Sequence, residues 1–309
     1  METKDFDVLI IGGGPAGLSA GIYSGRNGLK TAIIEKFGTG GLLNITDCIA
    51  NYPGYPHEVK GFRLGEAMQR QAEQFGTQVI LDEILSLEDQ DRFKVAKGYG
   101  ALYRAKVVII STGVRYKPLG VPGEEEFRGR GVSYCATCDG AFFKGKPIIV
   151  VGGGDSALQE AIYLTQFGTS VTIIHRRDLF RATPFIQEQL KNYGNIKLSM
   201  NSVVSEIRGD KFVEKVIVCN TVTSSVSELP ANGVFIFVGM APNTEFIGNY
   251  LLLRNDGYIQ TDDNMRTSKS GVFAAGDIRD KEVRQVITAC ADGAIAAQAA
   301  WKHISQEGK

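Results

Sequence analysis

Short runs of apolar, mostly β-branched residues recur along the chain and predict its strands. They fall at residues 8–11, 107–110, 148–151, 171–174 and 234–238, and most are apolar throughout rather than alternating with polar residues. Continuous runs of this kind are typical of strands buried on both faces, as in parallel sheets. Between several runs lie helical patterns; in residues 156–167 one face carries Ala157, Leu158, Ala161, Ile162 and Thr165. Alternating strands and helices predict βαβ units and an α/β fold.

The strand pattern is duplicated. Residues 8–17 read VLIIGGGPAG and residues 148–157 read IIVVGGGDSA, so an apolar strand enters a glycine-rich turn twice, 140 positions apart. Each copy continues through a helical pattern to a second apolar strand, at residues 31–34 and 171–174. The repeat predicts two Rossmann-like dinucleotide-binding domains of the three-layer ββα type.

A third glycine turn, at residues 271–277 (GVFAAGD), is followed by a helical tail that reaches Trp301, and we assign this tail to the first domain. Proline breaks regular structure at Pro118 and Pro242, which marks two crossings between domains. The second domain is therefore predicted to be inserted into the first. We expect a discontinuous first domain, residues 1–116 and 244–309, and an inserted second domain, residues 117–243.

The first glycine turn matches the dinucleotide fingerprint at Gly12, Gly14 and Gly17. Its glycines allow a tight bend and close backbone approach, and the helix N-terminus offers N–H groups to a pyrophosphate. A glycine cluster alone is weak evidence, because ordinary turns and close packing also select glycine. Here Glu35 ends the second strand, where a carboxylate accepts a hydrogen bond from a ribose 2′-OH.

The second copy differs at the residue that faces the ribose. Ala157 replaces the last glycine, which the fingerprint permits. The position of the first copy's glutamate, 21 residues after the middle glycine, is held by His175, and Arg176, Arg177 and Arg181 follow. Arginines there accommodate a 2′-phosphate. A solvated basic loop without a ligand is the alternative. We assign NADPH to this site, in the domain of residues 117–243, and FAD to the first site, in the domain of residues 1–116 and 244–309.

Only two of the five cysteines, Cys135 and Cys138, are close in sequence, and they lie between the glycine turns. A Cys-x-x-Cys pair can form a small disulfide and cycle by thiol–disulfide exchange. Half of a zinc site is the alternative, although the other cysteines and the three histidines are isolated in sequence. Asp139 is a candidate proton donor and acceptor, or a turn residue. The sites together predict electron flow from nicotinamide to flavin to disulfide.

Composition limits the partners and the cellular compartment that we expect for this protein. The 34 basic and 34 acidic residues cancel, so no global field favours nucleic acid or an anionic membrane. No apolar stretch approaches the roughly 18 residues that span a bilayer, and the first residues lack the pattern of a secretory signal. An odd number of cysteines argues against a secreted disulfide framework. We expect a cytoplasmic protein without a metal site.

Five segments together resemble the low-molecular-weight (class II) bacterial thioredoxin reductases over essentially the whole chain. They are residues 12–17, 135–140 (CATCDG), 152–157, 175–178 (HRRD) and 271–277, in the family's order. The resemblance implies an NADPH-dependent oxidoreductase that passes electrons through FAD and the dithiol to thioredoxin. It implies that Cys138 faces the flavin, Cys135 attacks the partner disulfide and Asp139 is the acid–base group. It also implies a homodimer and a rotating NADPH domain, with its hinge at the Pro118 and Pro242 crossings.

The resemblance also implies the binding residues of both cofactors. The FAD set is Gly12, Gly14, Pro15, Ala16, Gly17, Glu35, Lys36, Gly41, Leu42, Asn44, Thr112, Gly113, Gly276, Asp277, Arg284, Gln285 and Val286. The NADPH set is Gly152, Gly154, Asp155, Ser156, Ala157, His175, Arg176, Arg177 and Arg181. Phe142 and Phe143 are expected to help dock thioredoxin, with core packing as the alternative.

Two positions depart from the family pattern. Leu42 stands where family members usually have a glutamine near the flavin, so a polar contact is expected to be lost or moved to Asn44. Cys48 lies in the same stretch, as a buried inert thiol or a reactive one. A related dithiol flavoprotein with another disulfide substrate or electron donor stays open, as does a flavin redox sensor without turnover. An NADPH site argues against the sensor, which needs no hydride source.

Overall fold

The computed structural model describes residues 2–307, which divide into two compact units. Unit 1 runs to Arg115 and resumes at Ala241, and unit 2 is Tyr116–Met240. The boundaries predicted from proline positions lie one and three residues further along the chain.

The helices and strands follow in chain order. Up to the first crossing they are β1 (Glu2–Ile11), α1 (Pro15–Arg26), β2 (Thr31–Glu35), β3 (Cys48–Ile49), β4 (Val59–Lys60), α2 (Gly61–Gln74), β5 (Gln78–Leu81), β6 (Ile84–Gln90), β7 (Phe93–Gly98), β8 (Ala101–Ile110) and β9 (Val114–Tyr116). Next come β10 (Val132–Ser133), α3 (Ala136–Asp139), β11 (Pro147–Gly152), α4 (Asp155–Leu164), β12 (Ser170–Ile174), α5 (Pro184–Leu190), β13 (Ile196–Ser199), β14 (Ser202–Gly209), β15 (Val213–Asn220), β16 (Val226–Pro230), β17 (Gly233–Phe237) and β18 (Met240–Pro242). The last two are β19 (Val272–Ala274) and α6 (Val286–Glu307).

Unit 1 is built on a seven-stranded sheet in which six strands follow the order β5-β2-β1-β8-β7-β6 and the seventh, β19, pairs with β8. The strands β5, β2, β1 and β8 are parallel, whereas β7 and β6 form an antiparallel hairpin at the other edge. Strand β8 is long enough to pair with β7 along its first half and with β19 along its second. The predicted apolar runs at 8–11 and 107–110 lie within β1 and β8 and are buried.

Helices α1 and α6 pack closely against each other because small residues meet between them. A Cβ on Gly293 of α6 would lie 2.1 Å from the backbone oxygen of Ala16 in α1. Backbones approach this closely only where a side chain is absent. The first turn of α1, which belongs to the candidate cofactor site, is therefore fixed by a helix that lies more than 260 residues later in sequence.

Unit 2 contains a five-stranded parallel sheet in the order β10-β17-β11-β12-β13 and a three-stranded antiparallel sheet, β14-β15-β16. The predicted strands at 148–151, 171–174 and 234–238 correspond to β11, β12 and β17. The predicted helix at 156–167 was too long at its end. Helix α4 stops at Leu164, whose carbonyl accepts the N–H groups of both Phe167 and Gly168 in a turn. Across residues 2–307 we find no helix with the length and apolar character required to traverse a bilayer.

Candidate functional site

The first glycine turn joins β1 to α1 and has the geometry of a phosphate cradle. Gly12 has φ 101°, and a Cβ there would lie 2.5 Å from the Ser111 carbonyl oxygen. A Cβ on Gly17 would lie 1.9 Å from the Gly12 oxygen, so only glycine allows α1 to start this close to the strand. At Gly14, by contrast, no atom lies within 4 Å of such a Cβ. The turn therefore leaves space beside the N-terminus of α1, next to Pro15 and Ala16.

Glu35 ends β2 beside this turn, as the fingerprint predicts. Its Oε2 accepts a hydrogen bond from the Gly13 N–H at 2.6 Å, and its Oε1 accepts one from the Lys36 N–H at 2.8 Å. The carboxylate is thereby held at the edge of the cradle. An acceptor at this place fits a nucleotide ribose.

The other wall of the cradle is formed by the Gly276–Asp277 turn after β19. The Gly276 N–H contacts Asp292 of α6, a residue that the sequence analysis missed. Asp292 accepts hydrogen bonds from the Gly276 N–H at 3.1 Å, from Arg279 at 2.8 Å and from Lys281 at 2.9 Å. All three charged side chains are about nine-tenths buried, with Asp292 9% exposed, Lys281 10% and Arg279 12%. The available signal was a lone acidic residue in the alanine-rich stretch 289–300.

Asp277 itself faces this buried network. Its Oδ1 lies 3.8 Å from the Lys281 ammonium and, within residues 2–307, is buried without a hydrogen-bond partner. Burial raises the pKa of the Asp277 carboxyl, whereas the charges of Lys281 and Arg284 oppose that rise. A buried acceptor without a donor fits the hydroxyl-bearing chain of a flavin nucleotide. The neighbouring Arg284 guanidinium lies over the Tyr258 ring at 4.3 Å.

The remaining residues predicted for FAD are in unit 1 too. Gly41, Leu42 and Asn44 form a short 3-10 helix, Gly41–Ile45, and the Asn44 amide donates to the Thr39 carbonyl at 2.8 Å. That amide is thus committed within its own loop. The Gln285 side chain accepts a hydrogen bond from Asn51 at 3.0 Å, and Val286 begins α6. Thr112 donates to the Asn243 carbonyl at 2.8 Å, with Gly113 next to it at φ 62°.

The second glycine turn, between β11 and α4, repeats the first. Gly152 has φ 153°, and a Cβ there would lie 2.5 Å from the Phe237 oxygen and 2.7 Å from the side chain of Ala157. Gly154 has no atom within 4 Å of a Cβ, so the N-terminus of α4, with Asp155 and Ser156, is open on one side. Gly153, between these two glycines, packs against the His175 ring: a Cβ on Gly153 would lie 2.3 Å from that ring.

The three arginines after β12 are exposed, and none of their guanidinium groups takes part in an ion pair or hydrogen bond among the residues that the structure describes. Arg176, Arg177 and Arg181 thus concentrate uncompensated positive charge beside the second cradle. His175, in contrast, is buried, and burial lowers the pKa of its imidazole, with the arginine charges adding to that effect. A cluster of free guanidinium groups fits a phosphate monoester.

Cys135 and Cys138 form a disulfide at the ends of a single helical turn in unit 2. The Cys138 N–H donates to the Cys135 Sγ at 3.1 Å, and the Cys135 N–H donates to the Ser133 hydroxyl at 3.0 Å. An N–H directed at Cys135 sulfur stabilises a thiolate on that sulfur after reduction. Among residues 2–307, no three His, Cys, Asp or Glu side chains gather as metal ligands would.

The neighbours of the disulfide fall into two groups. Asp139 ends α3 and is partly exposed, and its N–H donates to the Cys135 carbonyl at 3.2 Å. Phe143 packs edge-on against Phe235 at 5.5 Å, which is core packing. Phe142 is 74% exposed, so the predicted aromatic pair is divided between core and surface.

The other three cysteines are free thiols. Burial raises the pKa of both Cys48 and Cys290 above the ordinary range of a thiol, which keeps them protonated at neutral pH. This favours the inert alternative for Cys48. Cys219 lies in β15 and is partly buried.

Two dinucleotide-type cradles and one redox-active disulfide in a single chain define the class of flavoprotein disulfide reductases. The chain belongs to the pyridine nucleotide-disulphide oxidoreductase family, whose model matches residues 6–293. Membership of this family implies a flavin and a nicotinamide cofactor.

Known relatives agree along the full length of the chain. A thioredoxin reductase from Peptoclostridium acidaminophilum is 47% identical over 305 residues, which cover 97% of each chain. One from Bacillus subtilis is 44% identical over 306 residues, 99% of this chain and 96% of the relative. The crystal structure of Lactococcus lactis thioredoxin reductase matches with a TM-score of 0.96 at 44% identity, over 97% of this chain and 99% of that one. The predicted fold, two Rossmann-like domains with one inserted into the other, and the predicted enzyme class are confirmed.

Proposed function

We propose that this protein is an NADPH-dependent thioredoxin reductase that binds FAD in unit 1 and NADPH in unit 2. The observation that carries the proposal is the Cys135–Cys138 disulfide, which occurs in a chain that also contains two open glycine cradles. Relatives of 44% to 47% identity are thioredoxin reductases, which supports thioredoxin as the substrate.

The residues of unit 1 fit FAD. The space beside Gly14 suits a pyrophosphate, the Glu35 carboxylate suits the adenosine ribose, and the buried Oδ1 of Asp277 suits a ribityl hydroxyl. When bound, FAD supplies a two-electron carrier between a hydride donor and a disulfide. The role of the chain is to bind and orient it. Other residues of the predicted FAD set lie in the 3-10 helix Gly41–Ile45, after β8 at Thr112 and Gly113, and at the N-terminus of α6, and their contribution to binding is expected by resemblance to the family.

The dithiol chemistry follows from exchange at sulfur. Two electrons and two protons convert the Cys135–Cys138 disulfide into two thiols. The Cys135 thiolate, favoured by the Cys138 N–H, attacks the thioredoxin disulfide and displaces one of its sulfurs as a thiolate. Cys138 then attacks the mixed disulfide, which restores the Cys135–Cys138 bond and releases reduced thioredoxin. Asp139 exchanges the protons.

The proposal also covers the cellular compartment and the oligomeric state. Three free cysteines and one exchangeable disulfide suit a reducing cytoplasm. A homodimer and a rotation of the NADPH domain about the two crossings are expected by resemblance to the family. The exposed Phe142, seven residues after Cys135, is a suitable apolar contact for thioredoxin.

The direct test of the function is a coupled assay with purified protein reconstituted with FAD. We expect yellow protein that oxidises NADPH only when thioredoxin is present, and more slowly with NADH. Reduced ferredoxin serves as the comparison electron donor, and small disulfides serve as the comparison substrates. Turnover with another donor or disulfide, but not with NADPH and thioredoxin, would instead support one of the alternatives within the class. Flavin reduction without any disulfide turnover would support a sensor.

The NADPH assignment makes a separate prediction. The double variant Arg176→Ala/Arg177→Ala loses two free guanidinium groups beside the cradle, so its KM for NADPH should rise roughly tenfold to a hundredfold, because each charged contact contributes about 1.5 kcal/mol. The KM for NADH should change little. Arg208→Ala, which removes a guanidinium paired with Glu206, is the control. An unchanged ratio of NADPH to NADH efficiency would contradict the assignment.

A further inference from the structure

An acidic side chain begins helix α4 beside the proposed NADPH cradle, where its charge disfavours the binding of a phosphate. Asp155 is the first residue of α4 and follows the open glycine, Gly154. A carboxylate at a helix N-terminus interacts favourably with the helix dipole. It also repels the phosphate groups that such a turn binds. The repulsion from phosphate suggests that Asp155 has a role in this site other than direct contact with a phosphate.

The contacts of this carboxylate provide that account. Asp155 Oδ1 accepts a hydrogen bond from the Thr183 N–H at 2.6 Å. Gly153, two residues before Asp155 in the same turn, accepts two more hydrogen bonds. Its carbonyl accepts them from the N–H groups of Arg181 at 2.8 Å and Ala182 at 3.2 Å. Three consecutive N–H groups, at residues 181–183, are therefore held by the glycine turn.

These three residues end the segment that carries the free arginines. We call residues 175–183 the arginine loop. Its first residue, His175, packs on Gly153, where a Cβ would lie 2.3 Å from the ring. The His175 Nε2 donates to the Leu179 carbonyl at 3.1 Å, and the His175 and Phe180 rings lie 5.4 Å apart. The loop is thus attached to the glycine turn at both of its ends.

We infer that Asp155 is a positioning residue for recognition of the 2′-phosphate: its carboxylate holds the end of the arginine loop against the glycine turn. Arg181 is thereby placed beside the ribose before the coenzyme binds. A loop that is ordered in advance does not have to be ordered by the ligand, so affinity rises. The inference rests on the proposed function, since it takes the coenzyme to be NADPH.

Charge and position predict opposite effects for the same substitution. If Asp155 acted only through its charge, removing the carboxylate would reduce repulsion and tighten binding of a phosphorylated ligand. If it positions the loop, Asp155→Ala should weaken binding of a ligand with a 2′-phosphate. Asp155→Asn keeps an oxygen acceptor at Oδ1 and removes only the charge, so it should rescue the loss.

Calorimetry with the FAD-loaded protein tests this with two small ligands, 2′,5′-ADP and 5′-AMP, which differ only in the 2′-phosphate. We expect Asp155→Ala to weaken 2′,5′-ADP roughly tenfold, the loss of one charge-assisted hydrogen bond, with 5′-AMP affected much less. Asp155→Asn should stay within about threefold of wild type. The charge control is Asp178→Asn, an exposed carboxylate of the same loop that makes no hydrogen bond or ion pair within the described chain; it should bind 2′,5′-ADP at least as tightly as wild type.

A second variant removes the donor instead of the acceptor. Thr183 has φ −60° and ψ 148°, a conformation that proline adopts, so Thr183→Pro deletes the N–H while the Asp155 charge remains. It should reproduce the roughly tenfold loss. It also gives the answer if Asp155→Ala does not yield folded protein. Amide hydrogen exchange at Arg181 and Ala182 should become faster in both variants.

The possible outcomes distinguish failure of the positioning role of Asp155 from failure of the NADPH assignment. If wild-type protein binds 2′,5′-ADP no better than 5′-AMP, the assignment of NADPH fails. If it prefers 2′,5′-ADP, and Asp155→Ala or Thr183→Pro binds that ligand as tightly as wild type or more tightly, the positioning role of Asp155 is overturned.

Discussion

Replacing either Cys135 or Cys138 with serine is expected to lower steady-state disulfide turnover by more than about a thousandfold, because each sulfur is a reacting atom. Serine forms no disulfide, so the variant has no bond to open and re-form. Reduction of the flavin by NADPH does not involve these sulfurs and should persist. The measurement is thioredoxin-dependent NADPH oxidation, followed beside anaerobic bleaching of the flavin.

The matched control is Cys219→Ser, which changes a free and partly buried thiol in β15. Its turnover should equal that of wild type within about twofold, because the Cys219 sulfur takes no part in the exchange reaction. Wild-type turnover in either Cys135→Ser or Cys138→Ser would contradict the exchange mechanism.

Asp292→Ala is expected to lower the free energy of unfolding by about 3 kcal/mol or more. The substitution leaves two cations, Arg279 and Lys281, about nine-tenths buried without their shared carboxylate, and it removes the acceptor of the Gly276 N–H. The Gly276–Asp277 turn should also loosen, so the variant should retain less FAD after gel filtration. Urea unfolding and flavin absorbance measure the two effects.

An exposed pair provides the comparison. Glu188 and Lys191 form an ion pair with 73% and 70% of their side chains exposed, and Glu188→Ala should cost less than about 1 kcal/mol. Equal effects of Asp292→Ala and Glu188→Ala would contradict the importance of burial in the Asp292 network. If Asp292→Ala is destabilised but retains FAD as well as wild type does, the Asp292 network stabilises the fold without contributing to flavin binding.

Much of the fold could be read from the sequence because local pattern and tertiary structure agree there. The apolar runs at 8–11 and 148–151 are central strands, and the glycines after them are required because a side chain would clash: a Cβ on Gly17 would lie 1.9 Å from the Gly12 oxygen. The end of α4 was misplaced because the apolar pattern continues past Leu164 although the chain turns there.

The charged network and the loop attachment could not be read from the sequence. Asp292 meets Gly276 and Lys281 only after α6 packs against α1, and nothing in the spacing of these residues specifies a buried pair. Likewise the hydrogen bond from Thr183 to Asp155 joins residues 28 positions apart. Sequence motifs named Asp155 as a binding residue, whereas only coordinates show what its carboxylate contacts.

A flavin and the Cys135–Cys138 pair are expected to accept electrons in series within one chain. Anaerobic titration of the FAD-loaded protein with NADPH measures this directly. Each two-electron centre takes up one hydride equivalent, so wild type should consume about two per chain and Cys138→Ser about one. Equal uptake of one equivalent by both proteins would show that the disulfide receives no electrons from the flavin, which would contradict serial electron transfer.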